Sequence, residues 1–132
     1  IIASRIGVSP SFTPELRERN NGIARGLTLE EAEKIRNPEN ISFIDYVVYP
    51  EGESFYSMYL RLKVFFEKLN SSGDENFLIV SHSNAITAII NWWLEFDREM
   101  MSRISYYISE CSLTQLGINK RNQKIIVCLN SK

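Results

Sequence analysis

Histidine is nearly missing from this sequence: His82 is the only one in 132 residues, so any imidazole chemistry rests on that position. Cysteine is scarce too. Cys111 and Cys128 fall in strand-like segments, form no metal or redox motif, and read as free thiols in a reducing compartment. No metal site and no cofactor are expected. No apolar run reaches the roughly 18 to 20 residues a bilayer span requires, and no basic segment followed by an apolar stretch marks a signal peptide. These absences make the cytoplasm the expected location and exclude a membrane partner. The formal net charge is only -1, which removes the general electrostatic argument for nucleic acid or an anionic membrane surface. There is no internal repeat and no low-complexity segment. An initial methionine is also missing. The chain opens Ile1-Ile2-Ala3, inside an apolar run that looks like the tail of a helix, so the expectation is that the front of a larger domain lies outside these residues.

What is present is ordinary for a globular domain: 44% hydrophobic and 23% charged residues, at a length that suits one domain with a real core. The organising stretch runs from Phe77 to Ile90. Phe77-Leu78-Ile79-Val80 reads as a strand buried on both faces, the kind used by parallel sheets. A polar patch from Ser81 to Asn84 follows. The chain is then apolar almost all round through Trp92-Trp93-Leu94, which reads as a buried helix. His82 therefore sits at a strand-to-helix junction, where α/β folds bind ligands and where a helix N-terminus favours anions such as phosphate. A solvated or capping histidine is the plainer alternative.

Taken in order, residues 1–6 look like a helix end stopped by Gly7. Residues 9–14 form a loop with Pro10 and Pro14. A charged stretch leads to Gly22 and Gly26, which bracket a further loop. Thr28-Leu29-Glu30-Glu31 is a capping box that predicts a helix over 29–36, ended by Asn37 and Pro38. Residues 42–49 are mixed and aromatic and read as loop or lid rather than core. Phe55, Met58, Tyr59, Leu62, Phe65, Phe66 and Leu69 recur at three- and four-residue steps, predicting a helix of about 15 residues with Ser54 as N-cap. Residues 71–74 read as a turn. After the His82 unit, reaching about Phe96, a short helix with a loop is expected over 97–107. Segments 112–118 and 124–129 read as an antiparallel hairpin.

Three short signals now fall in order: Leu16-x-Glu18-x-x-x-Gly22-x-x-x-Gly26, then Gly52-Glu53-Ser54 with Arg61 downstream, then the apolar strand ending in Ser81-His82. Together they resemble the histidine phosphatase superfamily, the phosphoglycerate-mutase-like enzymes. The resemblance covers nearly the whole chain, and Cys111-Ser112-Leu113-Thr114 is similar to the family's final core strands. It implies a three-layer α/β/α fold whose N-terminal strands, including the central strand with the nucleophile, are absent here. Residues 1–132 would then be the C-terminal part of a single domain.

In that family a histidine in an Arg-His-Gly motif attacks phosphorus. Arginines clamp the phosphoryl oxygens. A second histidine stabilises the developing charge, and a loop carboxylate serves as acid and then base. His82 matches the second histidine and Glu18 the carboxylate; Ser83, Asn21, Gly22 and Glu53 are the expected substrate contacts. No Arg-His-Gly occurs in the sequence. Ser83 stands where the family usually has glycine, and Glu110 where it often has asparagine. Arg5 falls beyond the family's second arginine motif and inherits no phosphate role.

Plainer readings stand beside these. Glu18, between Arg17 and Arg19, could be a surface ion pair worth little. Glu53 could rim the pocket or merely start a helix. Arg61 reads as a salt-bridge residue, Trp92 and Trp93 as core and adjoining surface, and Tyr106 and Tyr107 as packing.

The resemblance implies a phosphomonoester hydrolase that works through a phosphohistidine without metal on a small phosphorylated substrate. The 132 residues are expected to be inactive alone. The loop between Glu18 and Gly52 is shorter than in mutases, so phosphoglycerate mutase activity ranks behind hydrolysis. The competing reading is a non-catalytic relative that binds phosphorylated ligands or proteins. Residues 23–49 would shape the pocket, with Phe43, Tyr46 and Tyr49 as a partly apolar wall. Homo-oligomerisation is left open.

Overall fold

The structure, a computed structural model, describes residues 2–39, 41–71 and 76–132. Helices and strands are mixed in an α/β arrangement: α1 Ile2–Ile6, α2 Leu29–Glu33, α3 Phe55–Asn70, α4 Ser83–Trp93, α5 Arg98–Arg103, β1 Leu113–Ile118 and β2 Lys124–Ser131. Short 3-10 turns occupy Pro14–Leu16 and Gly22–Ala24. The core forms where α3 packs on α4. Met58, Leu62, Ala85 and Ala88 are fully buried there, and Phe55, Tyr59, Phe66, Ile89 and Met101 join them. Each large apolar side chain removed from water in this way contributes about 1.5–3 kcal/mol. Phe66 stacks on Trp92 with ring centroids 4.8 Å apart, tying the end of α3 to the end of α4.

The local signals act as their chemistry dictates. Ser54 caps α3, its hydroxyl accepting from the Ser57 N–H at 3.0 Å. Both halves of the Thr28–Glu31 capping box form, although α2 closes at Glu33 and the chain continues to 36 only as turns. Asp97 caps α5 through the Met100 N–H. The hairpin pairs antiparallel, with Gln115 opposite Cys128 and Ile118 opposite Lys124. Both cysteines are free. Ser71 is the C-cap of α3; the rest of the expected turn at 72–74, like Ile1, lies outside the described residues.

Three expectations are corrected. Residues 77–80 are extended but form no ladder, and Phe77, Leu78 and Val80 are 44%, 61% and 70% exposed. A strand is fixed by its neighbours, and among the described residues the only paired strands are β1 and β2. Residues 42–49 carry no helix or strand, yet Ile44 and Tyr46 are buried and Ile44 belongs to the core cluster, so this segment is core as well as loop. Its backbone is tied down: the Asn37 N–H donates to the Val48 carbonyl and the Asn37 amide to that of Val47, both at 2.9 Å. Tyr107 is 81% exposed rather than packed, whereas the Tyr106 hydroxyl is buried without a partner among the described residues, and burial raises its pKa.

Candidate active site

The loop bearing Glu18 is built by close backbone contact with the turn that precedes α3. Gly22 has φ +55, and a Cβ there would lie 2.0 Å from the Pro50 carbonyl oxygen and 2.4 Å from the Gly52 nitrogen. Only glycine tolerates both that conformation and that approach. Gly52 faces the same seam, where a Cβ would come within 3.0 Å of the Asn20 carbonyl oxygen. Two backbone bonds close the seam: Ile23 N–H to the Pro50 carbonyl at 3.1 Å, and Glu53 N–H to the Asn20 carbonyl at 2.8 Å. The glycines of two motifs distant in sequence thus serve one junction.

That junction presents Glu18 to α4. One carboxylate oxygen accepts from the Arg19 N–H at 2.7 Å; the other accepts from the Asn84 N–H, 66 residues away, at 3.1 Å. A carboxylate on the first turn of a helix meets orphan N–H donors and the positive end of the helix dipole. Among the described residues Glu18 makes no ion pair with Arg17 or Arg19, so the surface-pair reading does not describe its geometry. A second tie joins the same two segments: the Ser81 hydroxyl donates to the Leu16 carbonyl at 2.7 Å.

His82 is the N-cap residue of α4, but its side chain makes no capping bond. Its carbonyl accepts from the Ile86 N–H at 2.8 Å. His82 lines a cleft of about 370 Å³ with Phe12, Thr13, Leu16, Arg17 and Val80. Glu18 and His82 thus both meet the start of α4, Glu18 through the Asn84 N–H and His82 as the N-cap residue, although Glu18 does not line that cleft.

The other candidates separate. Ser83 opens α4, its hydroxyl 3.5 Å from the Ile108 carbonyl. Asn21 is exposed beside the Gly22 seam. Glu53 does not offer its carboxylate to open solvent: it forms a paired contact with Arg61, at 3.1 Å to Nε and 2.8 Å to Nη2, and accepts from the Asn20 N–H at 3.2 Å. Arg61 is the salt-bridge residue its helical position suggested. Sequence reasoning passed over Ser81, the Asn84 N–H and Arg17, because register between distant loops leaves no local signal. Among the described residues no helix is long and apolar enough to cross a membrane.

Comparison with known proteins bears on the fold. Three solved structures share the fold. Mycobacterial glucosyl-3-phosphoglycerate phosphatase with VO3 aligns at TM-score 0.78 and 18% identity, over 99% of this chain and 69% of its own. The same mycobacterial phosphatase with inorganic phosphate gives 0.74 and 18%, over 98% and 69%. A structure described as mycobacterial hydrolase 1 gives 0.75 and 19%, over 98% and 67%. No curated protein sequence matches significantly. The sequence profile of the histidine phosphatase superfamily (branch 1) matches residues 1–131. The fold is thus the α/β architecture of that superfamily without its nucleophile strand, since no Arg-His-Gly occurs in these residues. The chain belongs to the histidine phosphatase superfamily.

Proposed function

We propose that this chain carries the acid–base half of a phosphomonoesterase site that works through a phosphohistidine, on a small phosphorylated substrate and without metal. The observation that carries the reading is the Glu18–Asn84 bond, which sets a loop carboxylate at the helix end where His82 is the N-cap residue. The phosphatase character of the structural neighbours supports it.

The chemistry divides among few groups. A nucleophilic imidazole attacks phosphorus and the ester P–O bond breaks. Glu18 gives its proton to the departing oxygen, so no free alkoxide forms. His82 and Arg17, which line one cleft, stabilise charge on the phosphoryl oxygens. Glu18 then takes a proton from water as it attacks, the P–N bond breaks, and phosphate leaves. Because His82 is the sole histidine, a segment outside these 132 residues supplies the attacking imidazole, and these residues alone are inactive. Residues 1–132 are then one part of a single domain, whose partner strand lies along the exposed flank of residues 77–80, in the cytoplasm.

The non-catalytic reading draws on the same exposed flank, where unpaired backbone invites another strand. Hydrolysis of p-nitrophenyl phosphate by the full-length protein, in EDTA, separates the two. Turnover that His82→Ala reduces supports the phosphatase; phosphate binding with no turnover supports the binder.

A further inference from the structure

We propose that Glu53 and Arg61 are positioning residues that aim Glu18 at the leaving group, acting through the backbone of the loop on either side of it. This rests on the reading of Glu18 as the proton donor. Arg61 Nη1 donates to the Glu15 carbonyl, and Nη1 and Nη2 each reach the Arg17 carbonyl at 3.3 Å. On the other side of Glu18, the Glu53 carboxylate takes the Asn20 N–H at 3.2 Å while the Glu53 N–H holds the Asn20 carbonyl at 2.8 Å. The loop is thus gripped at 15, 17 and 20, and Glu18 lies between the grips.

The anchor itself is stiff. The guanidinium and carboxylate meet in a forked contact, and their side chains are only 26% and 16% exposed. Arg61 stands on α3 next to Leu62, which is fully buried, so its backbone position is set by the core. Among the described residues neither bonds the Glu18 carboxylate, which accepts from the Arg19 and Asn84 N–H groups. Their effect on Glu18 is therefore one of placement. The pair is internally neutral, so it fixes the loop without adding net charge to the cleft. A lysine at 61 would carry the charge but not the fork, and could not hold the carboxylate and two carbonyls in one plane.

A leaving-group comparison with the full-length protein tests this. Glycerol phosphate needs its leaving oxygen protonated; p-nitrophenyl phosphate, with a stable phenolate, hardly does. Arg61→Ala is expected to lower kcat on glycerol phosphate at least about tenfold, in the manner of Glu18→Gln, with little change in KM, and to spare p-nitrophenyl phosphate largely. Arg61→Lys restores only part of the loss, and Glu53→Gln, which leaves the turn intact, gives the same selectivity more mildly. Equal losses on both substrates overturn the proposal in favour of a merely structural pair. A second readout stands without turnover: the Asn84 amide, bonded to the Glu18 carboxylate, is protected from hydrogen exchange in the wild type and loses that protection in Glu53→Gln and Arg61→Ala. Retention of it in both variants overturns the proposal. A wild type inert towards both esters sinks the phosphatase reading and leaves the amide exchange to decide the placement.

Discussion

The Glu18 carboxylate accepts a hydrogen bond from the Asn84 N–H at 3.1 Å, joining a loop to the first turn of α4 across 66 residues. The geometry gives the carboxylate a fixed address beside His82, where an isolated surface glutamate would have none. An exposed ion pair with a neighbouring arginine would be worth less than about 1 kcal/mol and would place nothing. A bond to an orphan helix donor orients the group at the head of α4.

Glu18→Gln should leave the fold intact, since the amide oxygen can still accept from Asn84. The loss of negative charge at the head of α4 should cost about 0.3–1 kcal/mol in urea unfolding. Hydrolysis of an alkyl phosphate by the full-length protein should fall about 10²–10⁴-fold. A variant with wild-type turnover would remove Glu18 from the acid–base role.

Gly22→Ala and Gly26→Ala form a matched pair. Both glycines have positive φ, +55 and +84, but a Cβ meets backbone at 2.0 Å at Gly22 and nothing within 4 Å at Gly26. Gly26→Ala should cost about 1–2 kcal/mol from conformation alone. Gly22→Ala should cost more, by pushing the Glu18 loop off the Pro50–Gly52 turn. Equal midpoints in urea would mean that the seam yields.

Leu62→Ala should destabilise by about 2–5 kcal/mol, because Leu62 is fully buried between α3 and α4. Leu60, on the same helix but 44% exposed, should lose under about 1 kcal/mol on the same truncation. Denaturant unfolding of the two variants reads the difference directly.

Glu31 accepts from both the backbone N–H and the hydroxyl of Thr28, and these bonds hold its pKa below the ordinary carboxylate value. A carboxylate depressed in the folded state adds stability above its unfolded pKa and loses it as pH falls through the folded one. The urea midpoint should therefore drop on acidification through the carboxylate range, and Glu31→Gln should flatten part of that drop. An unchanged acid limb would show that the capping box does not hold in solution.

Local chemistry was legible in the sequence, and assembly was less so. Ser54, Thr28 and Glu31 announce their caps because a cap is settled within three residues, and the apolar spacing from Phe55 onward announces α3 because one helix face is a local pattern. The segment 77–80 misled, since its apolar run describes a strand between neighbours and the described residues supply none. Ile44 and Tyr46 misled in the opposite sense: nothing in an irregular aromatic stretch says that it folds down onto the start of α3, where Phe43 lies 5.7 Å from Phe55 and the Tyr56 N–H reaches the Ile44 carbonyl. For the site, motif spacing named Glu18, His82 and Glu53. It could not show that Glu53 turns to Arg61, because that depends on how two turns pack.

The most direct test of the central claim is the rate at which the full-length protein hydrolyses p-nitrophenyl phosphate in EDTA, compared between wild type and His82→Ala. The account predicts clear turnover by the wild type and a loss of about a hundredfold or more in the variant, as for removal of a group that stabilises transition-state charge. Equal rates in the two proteins would contradict it, because the only imidazole in this chain would then take no part in the reaction.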